Sequence, residues 1–502
     1  MILSPAEAQR MEAMYRIQRR SVDARQRDLK VLLTVLTDDQ GEPIPLDAPV
    51  PLYEPPVFRK VTDNSRQAVI VGAGPAGLFA ALTLLQHGIR PIIYERGKEI
   101  SERKKDIALL NRNQGLDTES NYCFGEGGAG TFSDGKLFSR SKKRGNTQRV
   151  MEWFHYFGAA DNILYESHAH IGSDKLPTII KNIRQHIIHC GGEIHFCHRV
   201  DSLSFGDIPV ILAIGHSAHD TYRLLQREGV RMEAKGFAMG VRVEHPQALI
   251  NRLMYKSVTQ AADGGAELIK QVGNAAYSLV TQVNGRGVYS FCMCPGGCIV
   301  PAGSDSNGCV VNGMSASRRN SPYANSGIVV EIHPEDLLPY SQQSGIPIDD
   351  PLIGLSFQEQ LERLAQTHGQ APNQAPAQRL RDFVEGHPSK DLPVCSYLPG
   401  IVPSRLDQWL PEEIGPYLQQ GFRDFDRKYP GFLTNDAVVV GVESRSSSPV
   451  RIVRDPQTMQ SVSHPTLYPC GEGAGYAGGI TSSALDGIRA AEALCARLEK
   501  IL

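Results

Sequence analysis

The stretch AVIVGAGPAGLFAALTLLQHGIRPIIYERG, from Ala68 to Gly97, constrains this chain more than any other. Ala68–Val71 is an unbroken apolar run, the pattern of a strand buried on both faces. Gly72, Gly74 and Gly77 follow in GxGxxG spacing. A helical stretch runs from about Pro75 to His87, and Gly88 stands where a C-terminal glycine cap belongs. A second apolar strand, PIIYE, ends at Glu95. Each part has a physical job. Gly72 permits a tight turn, Gly74 lets the backbone approach a pyrophosphate, and Gly77 lets helix and strand pack closely. Phosphates then meet free N–H groups at the positive end of the helix dipole, together with Pro75 and Ala76 of the first turn. Glu95 ends the second strand, where a carboxylate accepts hydrogen bonds from ribose hydroxyls, with Arg96 beside it. Strand, glycines, helix, strand and acid in this order specify a Rossmann-like dinucleotide site. They do not separate FAD from NAD.

The other end of the chain does. TLYPCGEGAGYAGGITSSALDGIRAAEAL (Thr466–Leu494) reads as a strand, a glycine-rich turn and a helix that opens on small residues. It resembles the closing segment of FAD-dependent oxidoreductases of the glutathione-reductase type. The resemblance implies that Gly471 and Glu472 approach the ribityl chain, although Asp is more usual at the second position. It also implies that the helix start at Gly478, Gly479 and Ile480 faces the flavin ring, where its dipole stabilises negative charge. A helix start accepts alanine, so Gly479→Ala is expected to be mild and Gly479→Glu severe. GGEIHFCHRV (Gly191–Val200) reads as a strand pair whose end, at Val200, passes the adenine. PVILAIGHSAHD (Pro209–Asp220) reads as a buried strand ending in Gly215. GEGGAGTFSDGKL (Gly125–Leu137) spends five of thirteen residues on glycine. In related flavoproteins a loop at this place crosses the pyrophosphate and flanks the ring, so Gly127, Gly128, Ala129, Gly130 and Thr131 are expected to contact the cofactor. Lys136 either stabilises reduced flavin, binds an acidic substrate, or is a solvent-facing lysine in a turn.

A wider set of phrases, GGAGTFSDGKL, AIGHSAHDT, GFAMGVRVEHPQ, GVYSFCMCPGG, VVNGMSASRR, GVESRSSSPVRI and YPCGEGAGYAGGITSSALDGI, is similar to a bacterial and plastid group of uncharacterised FAD-dependent dehydrogenases. The match runs from about Arg19 to the C-terminus. One departure is His219, where the group is expected to carry Arg. The resemblance implies a flavin oxidoreductase with non-covalent FAD and brings no specific reaction with it.

The expected fold is α/β. Residues 1–60 form a small N-terminal α+β lobe, and within this span Pro43–Pro56, rich in proline, is a semi-rigid linker. A discontinuous FAD-binding domain takes 65–235 and 435–502. An α+β substrate-cap domain, 236–434, is inserted between them. Within it YSLVTQV, CVVNGMS and GIVVEI read as strands, FQEQLERLAQTH and EEIGPYLQQGFRDFDRKY as helices, and His368–Gln378 as a polar loop.

Length, charge and composition narrow the functional classes. A chain of 502 residues needs two or more domains. With 41% hydrophobic and 21% charged residues and a net charge of -2, neither a membrane span nor a large nucleic-acid surface is expected. Two basic runs, Arg16–Arg27 and Arg140–Arg149, read as solvated faces. The first twenty residues are helical in pattern and lack the apolar core of a secretory signal. Ten cysteines without compact disulfide spacing fit a reducing, cytoplasmic setting. Cys292, Cys294 and Cys298 match no common metal-ligand spacing, so no iron–sulfur or zinc site is expected. Cys294 is instead a pocket candidate, as are Arg445 and Tyr476, with Arg445 either binding an anionic group or forming a buried ion pair. His216, His219 and Asp220 read as loop hydrogen-bonders.

Only one dinucleotide fingerprint is present, and only Cys123 lies soon after it. A built-in NAD(P) domain with a redox cysteine pair, as disulfide reductases have, is therefore not expected. The leading reading is a dehydrogenase or reductase acting on a small molecule, with NAD(P)H as an optional transient reductant. The alternatives are a flavin monooxygenase and a non-catalytic or RNA-interacting flavoprotein. Catalytic residues and oligomeric state are not legible.

Overall fold

The computed structural model describes residues 1–25, 28–49, 51–138, 145–258 and 265–500. Its first layer is a five-stranded sheet in the order Leu467–Pro469, Val210–Leu212, Gln67–Val71, Arg90–Tyr94, Glu193–His195, with every pairing parallel. The strand from the far end of the chain thus closes a sheet begun four hundred residues earlier. Helix Pro75–Gln86 follows the central strand, is buried from Ala76 to Leu85, and ends in Gly88 at φ +72. The long helix Ile480–Lys500 packs along it. This is the α/β, Rossmann-like plan the glycines predict.

The second layer is a seven-stranded sheet in the order Val280–Val283, Arg286–Cys294, Tyr323–Ile332, Phe237–Pro246, Val438–Glu443, Ala375–Arg379, Ile401–Pro403. Only the last pair is parallel. Helices Ile353–His368 and Gly415–Lys428 contribute to the apolar core against it. Phe237–His245 is buried at every position, because the strand is covered on both faces. Alternation places Met239, Val241 and Val243 in the apolar core and leaves Arg242 and Glu244 for the opposite face.

Several expectations need correction. The N-terminal stretch is helical only over Pro5–Met14; Ile17–Asp23 is a strand paired with Lys30–Val35. Within the first basic run Arg19 and Arg25 are exposed as expected, but Arg20 is buried between Glu12 (2.7 Å) and Glu166 (3.0 Å), and Gln26 and Arg27 lie outside the described residues. Arg140–Arg144 of the second run lie outside the described residues, and Arg149 pairs with Glu492. Gly191–Val200 holds one strand, Glu193–His195, in place of two. Ala375–Gln378, assigned to a loop, is strand. Val438–Glu443 hydrogen-bonds into the seven-stranded sheet beside Phe237–Pro246. We therefore place the return to the FAD-binding unit after Glu443, at residue 444 in place of the expected 435.

His245 gives this fold an acid liability. It is wholly buried, and its Nε2 lies 2.9 Å from the Phe432 carbonyl it donates to. Burial pushes its pKa down to about 4, below the value of an exposed histidine near 6.5. The unfolded chain therefore takes up a proton first as pH falls. Stability from this group is complete above about pH 6.5 and is lost on the way down to about 4, by roughly 3 kcal/mol. His245→Asn is expected to flatten the fall in urea midpoint between pH 7 and 4.5. An unchanged slope would remove His245 from the acid response.

Candidate functional site

The site grows from the end of the central strand. At Gly72, φ is +105, and a Cβ would overlap the Ala213 carbonyl of the neighbouring strand. A Cβ on Gly77 would overlap the Gly72 carbonyl oxygen and lie 3.1 Å from its carbon. These two glycines set the packing of turn, helix and sheet. Gly74 caps the helix, and no side chain among the described residues caps it in turn. The first-turn N–H groups at Ala76 and Gly77 are thus left for an anion.

The glycine loop crosses at this helix start. Gly127 donates to the Ala73 carbonyl (2.8 Å), and a Cβ on Gly128 would lie 3.0 Å from the Gly74 Cα. Gly127 and Thr131 are buried within the loop, Gly128 and Gly130 are half-buried, and Ala129 is exposed. A Cβ on Gly130 would come 2.9 Å from Ile480. Thr481 Oγ1 donates to the Leu137 carbonyl (2.7 Å), tying the loop to the start of the last helix. Gly471 faces Ala76, and its N–H donates to Asp486 (2.8 Å). A Cβ on Gly473 would lie 2.5 Å from the Gly215 oxygen. Glu472 Oε1 sits 3.4 Å from His216 Nδ1. The structure therefore brings together the first-motif glycines, the loop, Gly215 and the C-terminal glycines.

Glu95 is more occupied than a free ribose acceptor. It is buried, and it accepts from Ala73 N (2.8 Å), Gly97 N (2.9 Å) and Gly125 N (3.0 Å). A carboxylate has about four acceptor positions, so one is left over. Arg96 lies over the Phe124 ring (4.0 Å) and pairs with Glu119 (2.8 Å) and Asp220 (2.9 Å). With Lys98, Arg199 and His198 it lines a cleft of about 590 Å³ next to Val200.

The residue that organises the loop escaped the sequence reading. Arg103, within SERKKD, has the look of a surface helix cation. It is fully buried and donates to the carbonyls of Asn121 (2.8 Å), Tyr122 (3.1 Å), Glu126 (2.8 Å) and Gly128 (3.0 Å). Burial lowers its pKa to about 10, so it stays charged at neutral pH. One cation thus gathers the carbonyls of the turn, two of which, Glu126 and Gly128, also accept from Thr131.

The pocket candidates fare differently. Lys136 bonds the Met293 carbonyl and lies 3.9 Å from Asp134, so it is not a solvent-facing turn residue. Asp134 is itself buried against Arg319 and Ser315. Of the two readings of Arg445, the structure shows the buried ion pair: it contacts Glu362 at 2.7 and 2.9 Å and Ser304 at 2.7 Å. Tyr476 packs under Arg454 (3.7 Å), and its hydroxyl donates to the Ile452 carbonyl (3.2 Å). His219 and Asp220 open a helix, His219–Arg227, in place of a loop, and His219 Nδ1 meets Glu359 at 3.0 Å. Opposite the loop stands a polar group not anticipated. Arg242 pairs with Glu443 (2.9 Å), bonds Asn325 (2.9 Å) and donates to the Cys292 carbonyl (2.7 Å). Charged residues inside the apolar run GVRVEH were the available signal.

The residues present fit FAD. A Cβ on Gly215, Gly478 or Gly479 would meet no described atom within 4 Å, which leaves a rim bare of side chains. Beside it His216 Nε2 is buried and has no hydrogen-bond partner among the described residues. Residues 65–113 match the family described as FAD binding domain, and 236–446 match FAD-dependent protein, C-terminal domain-like. This fold and these matches define a flavoprotein oxidoreductase that uses FAD. More narrowly, the chain belongs to the family of an uncharacterized protein from Clostridium beijerinckii, to which it is 39% identical over 94% of its own length and 91% of the relative's. Solved structures similar to it include the tetracycline destructase Tet(51) (11% identity, 87% of this chain and 82% of that one, TM-score 0.33). A flavocytochrome c3 fumarate reductase (10%, 87% and 79%, 0.33) and Mycobacterium smegmatis Sdh1 in complex with UQ1 (15%, 88% and 69%, 0.34) are others. TM-scores of this size carry no argument about chemistry. Among the described residues no helix is long and apolar enough to cross a membrane, and no group of three or more His, Cys, Asp or Glu could hold a metal ion.

Proposed function

We propose that the chain is a flavin-dependent dehydrogenase or reductase that moves a hydride or electrons between bound FAD and a small molecule. The observation that carries this is the apposition of two structures. One part of the glycine loop meets the uncapped start of helix Pro75–Gln86 and Ile480 beside the bare rim Gly478–Gly479, and its charged end, Asp134 and Lys136, meets Arg319 and the Met293 carbonyl, next to the Cys292 carbonyl held by Arg242. In this reading Gly72, Gly74 and Gly77 admit the pyrophosphate, and the spare acceptor position of Glu95 takes a ribose hydroxyl. Arg96 borders the adenine end. Gly128, Ala129 and Gly130 on one side and Gly478 to Ile480 on the other hold the ring, while Glu472 and His216 hold the ribityl chain. When bound, the flavin supplies the two-electron chemistry, and the protein supplies orientation and a poorly solvated pocket. Lys136 and the start of the last helix favour negative charge there. NAD(P)H is a possible transient donor.

Purified protein is expected to be yellow, and heat is expected to release FAD from it without a covalent remnant. Release of FMN in its place would overturn the dinucleotide reading. An anaerobic screen of small metabolites and NAD(P)H, followed by flavin bleaching, tests the activity. Oxygenated product on readmission of air would favour a monooxygenase. No bleaching by any donor, combined with salt-dependent RNA binding, would favour the non-catalytic reading.

A further inference from the structure

We propose that Cys292 and Cys294 form a redox-active thiol pair, with Cys292 the attacking thiolate and Cys294 the resolving thiol, acting on small disulfides. The proposal rests on these thiols alone and does not require the flavin reading above.

The geometry comes from a break in the strand Arg286–Cys294. Register with Tyr323–Ile332 shifts between Phe291 and Cys294, and Cys292 takes φ +46. A regular strand would hold residues two apart about 6.6 Å from one another. The turn at Cys292 folds the segment back, and Cys294 Sγ comes 3.3 Å from the Cys292 carbonyl oxygen. Arg242 clamps the turn, with Nη2 2.7 Å from that oxygen and 3.6 Å from Cys294 Sγ. Lys136 holds the Met293 carbonyl between them. The two thiols are unequal. Cys292 is half-buried, whereas Cys294 is buried. The Cys294 thiol donating toward Cys292, then Lys136 and Arg242, holds the Cys292 thiol well below its usual range. The same contact, then burial, pushes Cys294 well above it. Asp134 opposes ionisation at both thiols, and Glu443 lies beyond Arg242.

The step balances as thiol–disulfide exchange. The Cys292 thiolate attacks one sulfur of R–S–S–R. A Cys292–S bond forms, the R–S–S–R bond breaks, and RS⁻ leaves to take a proton from water. Cys294 then loses its proton and attacks Cys292 Sγ, closing Cys292–Cys294 and expelling the second RS⁻. Starting from the Cys292 thiolate and the Cys294 thiol, the pair loses two electrons and one proton; with the proton taken from water, the disulfide becomes two thiols. No such pair follows the first glycine motif, where disulfide reductases keep theirs, so the chemistry would enter from the opposite layer.

The test uses the full-length, pre-reduced holoprotein under nitrogen. Iodoacetamide alkylation of each cysteine is followed by mass spectrometry from pH 4.5 to 9, with exposed Cys197 as the internal reference. An ordinary thiol near pKa 8.5 is barely ionised at pH 6, while a low-pKa thiolate is fully ionised but intrinsically less nucleophilic. These effects combine to an expected advantage of about tenfold for Cys292 at pH 6, with its inflection at least two pH units below that of Cys197. Hydroxyethyl disulfide is then expected to leave Cys292 and Cys294 linked, two hydrogens lighter and with no adduct retained. Cys294→Ser is expected to stop at a mixed disulfide on Cys292, with circular dichroism and flavin content checking its fold. A Cys292 profile that tracks Cys197, or a wild-type adduct on Cys292 that Cys294 never displaces, would overturn the proposal.

Discussion

Gly487→Ala is expected to lower the urea midpoint by an amount equivalent to about 2–3 kcal/mol and to cut retained FAD several-fold. In an open helix the sign would be the reverse, because alanine is about 1 kcal/mol better than glycine there. Gly487 sits in the last helix, Ile480–Lys500, against the first, Pro75–Gln86. A Cβ on it would overlap the Ala76 carbonyl oxygen and lie 2.7 Å from the carbonyl carbon. The obstacle is backbone, so no rotamer change relieves it. Ala76 belongs to the turn whose N–H groups are left for phosphate, and its Cβ already limits Gly471. Separating the helices therefore disturbs both halves of the proposed cofactor site together. Gly478→Ala supplies the control. A Cβ there meets no described protein atom within 4 Å, and a change within about 0.5 kcal/mol is expected in the urea midpoint of the FAD-stripped protein. A Gly487→Ala protein as stable as the parent would show that the two helices do not meet as described.

The second large effect is at Gly479. The expectation that alanine is mild there does not survive the structure. Gly479 lies just before the helix at φ +152, a conformation that side chains rarely adopt, so any substitution costs roughly 1–3 kcal/mol of backbone strain. Gly479→Ala and Gly479→Glu should share that loss. Space is not the difference between them, because a Cβ at Gly479 also meets nothing within 4 Å. What glutamate adds is a carboxylate at the rim proposed to face the flavin, where repulsion is weakly screened. Gly479→Glu alone is expected to weaken FAD retention at least tenfold, about 1.4 kcal/mol, or to lower the midpoint potential. Equal FAD content and equal potential in the two folded variants would place the flavin away from this helix start.

Much of the nucleotide-binding half was legible because its signals are local. Glycine spacing, an apolar run and a terminal acid specify strand, turn and helix within thirty residues, and the structure forms each of them over Gln67–Glu95. The helices Ile353–His368 and Gly415–Lys428 were readable for the same reason, from one apolar stripe each. Short strands were harder. Glu193–His195 has three residues, too few for a period, and its neighbours read equally well as strand. Residues 16–20 carry charges at helical spacing, yet from Ile17 onward they pair with Lys30–Val35 as strand, and Arg20 is buried.

What the sequence determined by itself is the chemistry that the backbone performs: where a chain can turn tightly, where it can approach a phosphate, and which helix start is left uncapped. Those properties belong to glycine, proline and the dipole, and they travel with a few adjacent residues. Only the tertiary structure decided which charges are buried and with whom. Arg103 under the glycine loop, Arg242 with Glu443, and Arg445 with Glu362 look alike in sequence to the solvated Lys105 or Arg427. The energy of a buried cation depends on partners brought from distant parts of the chain, and no local pattern encodes that distance.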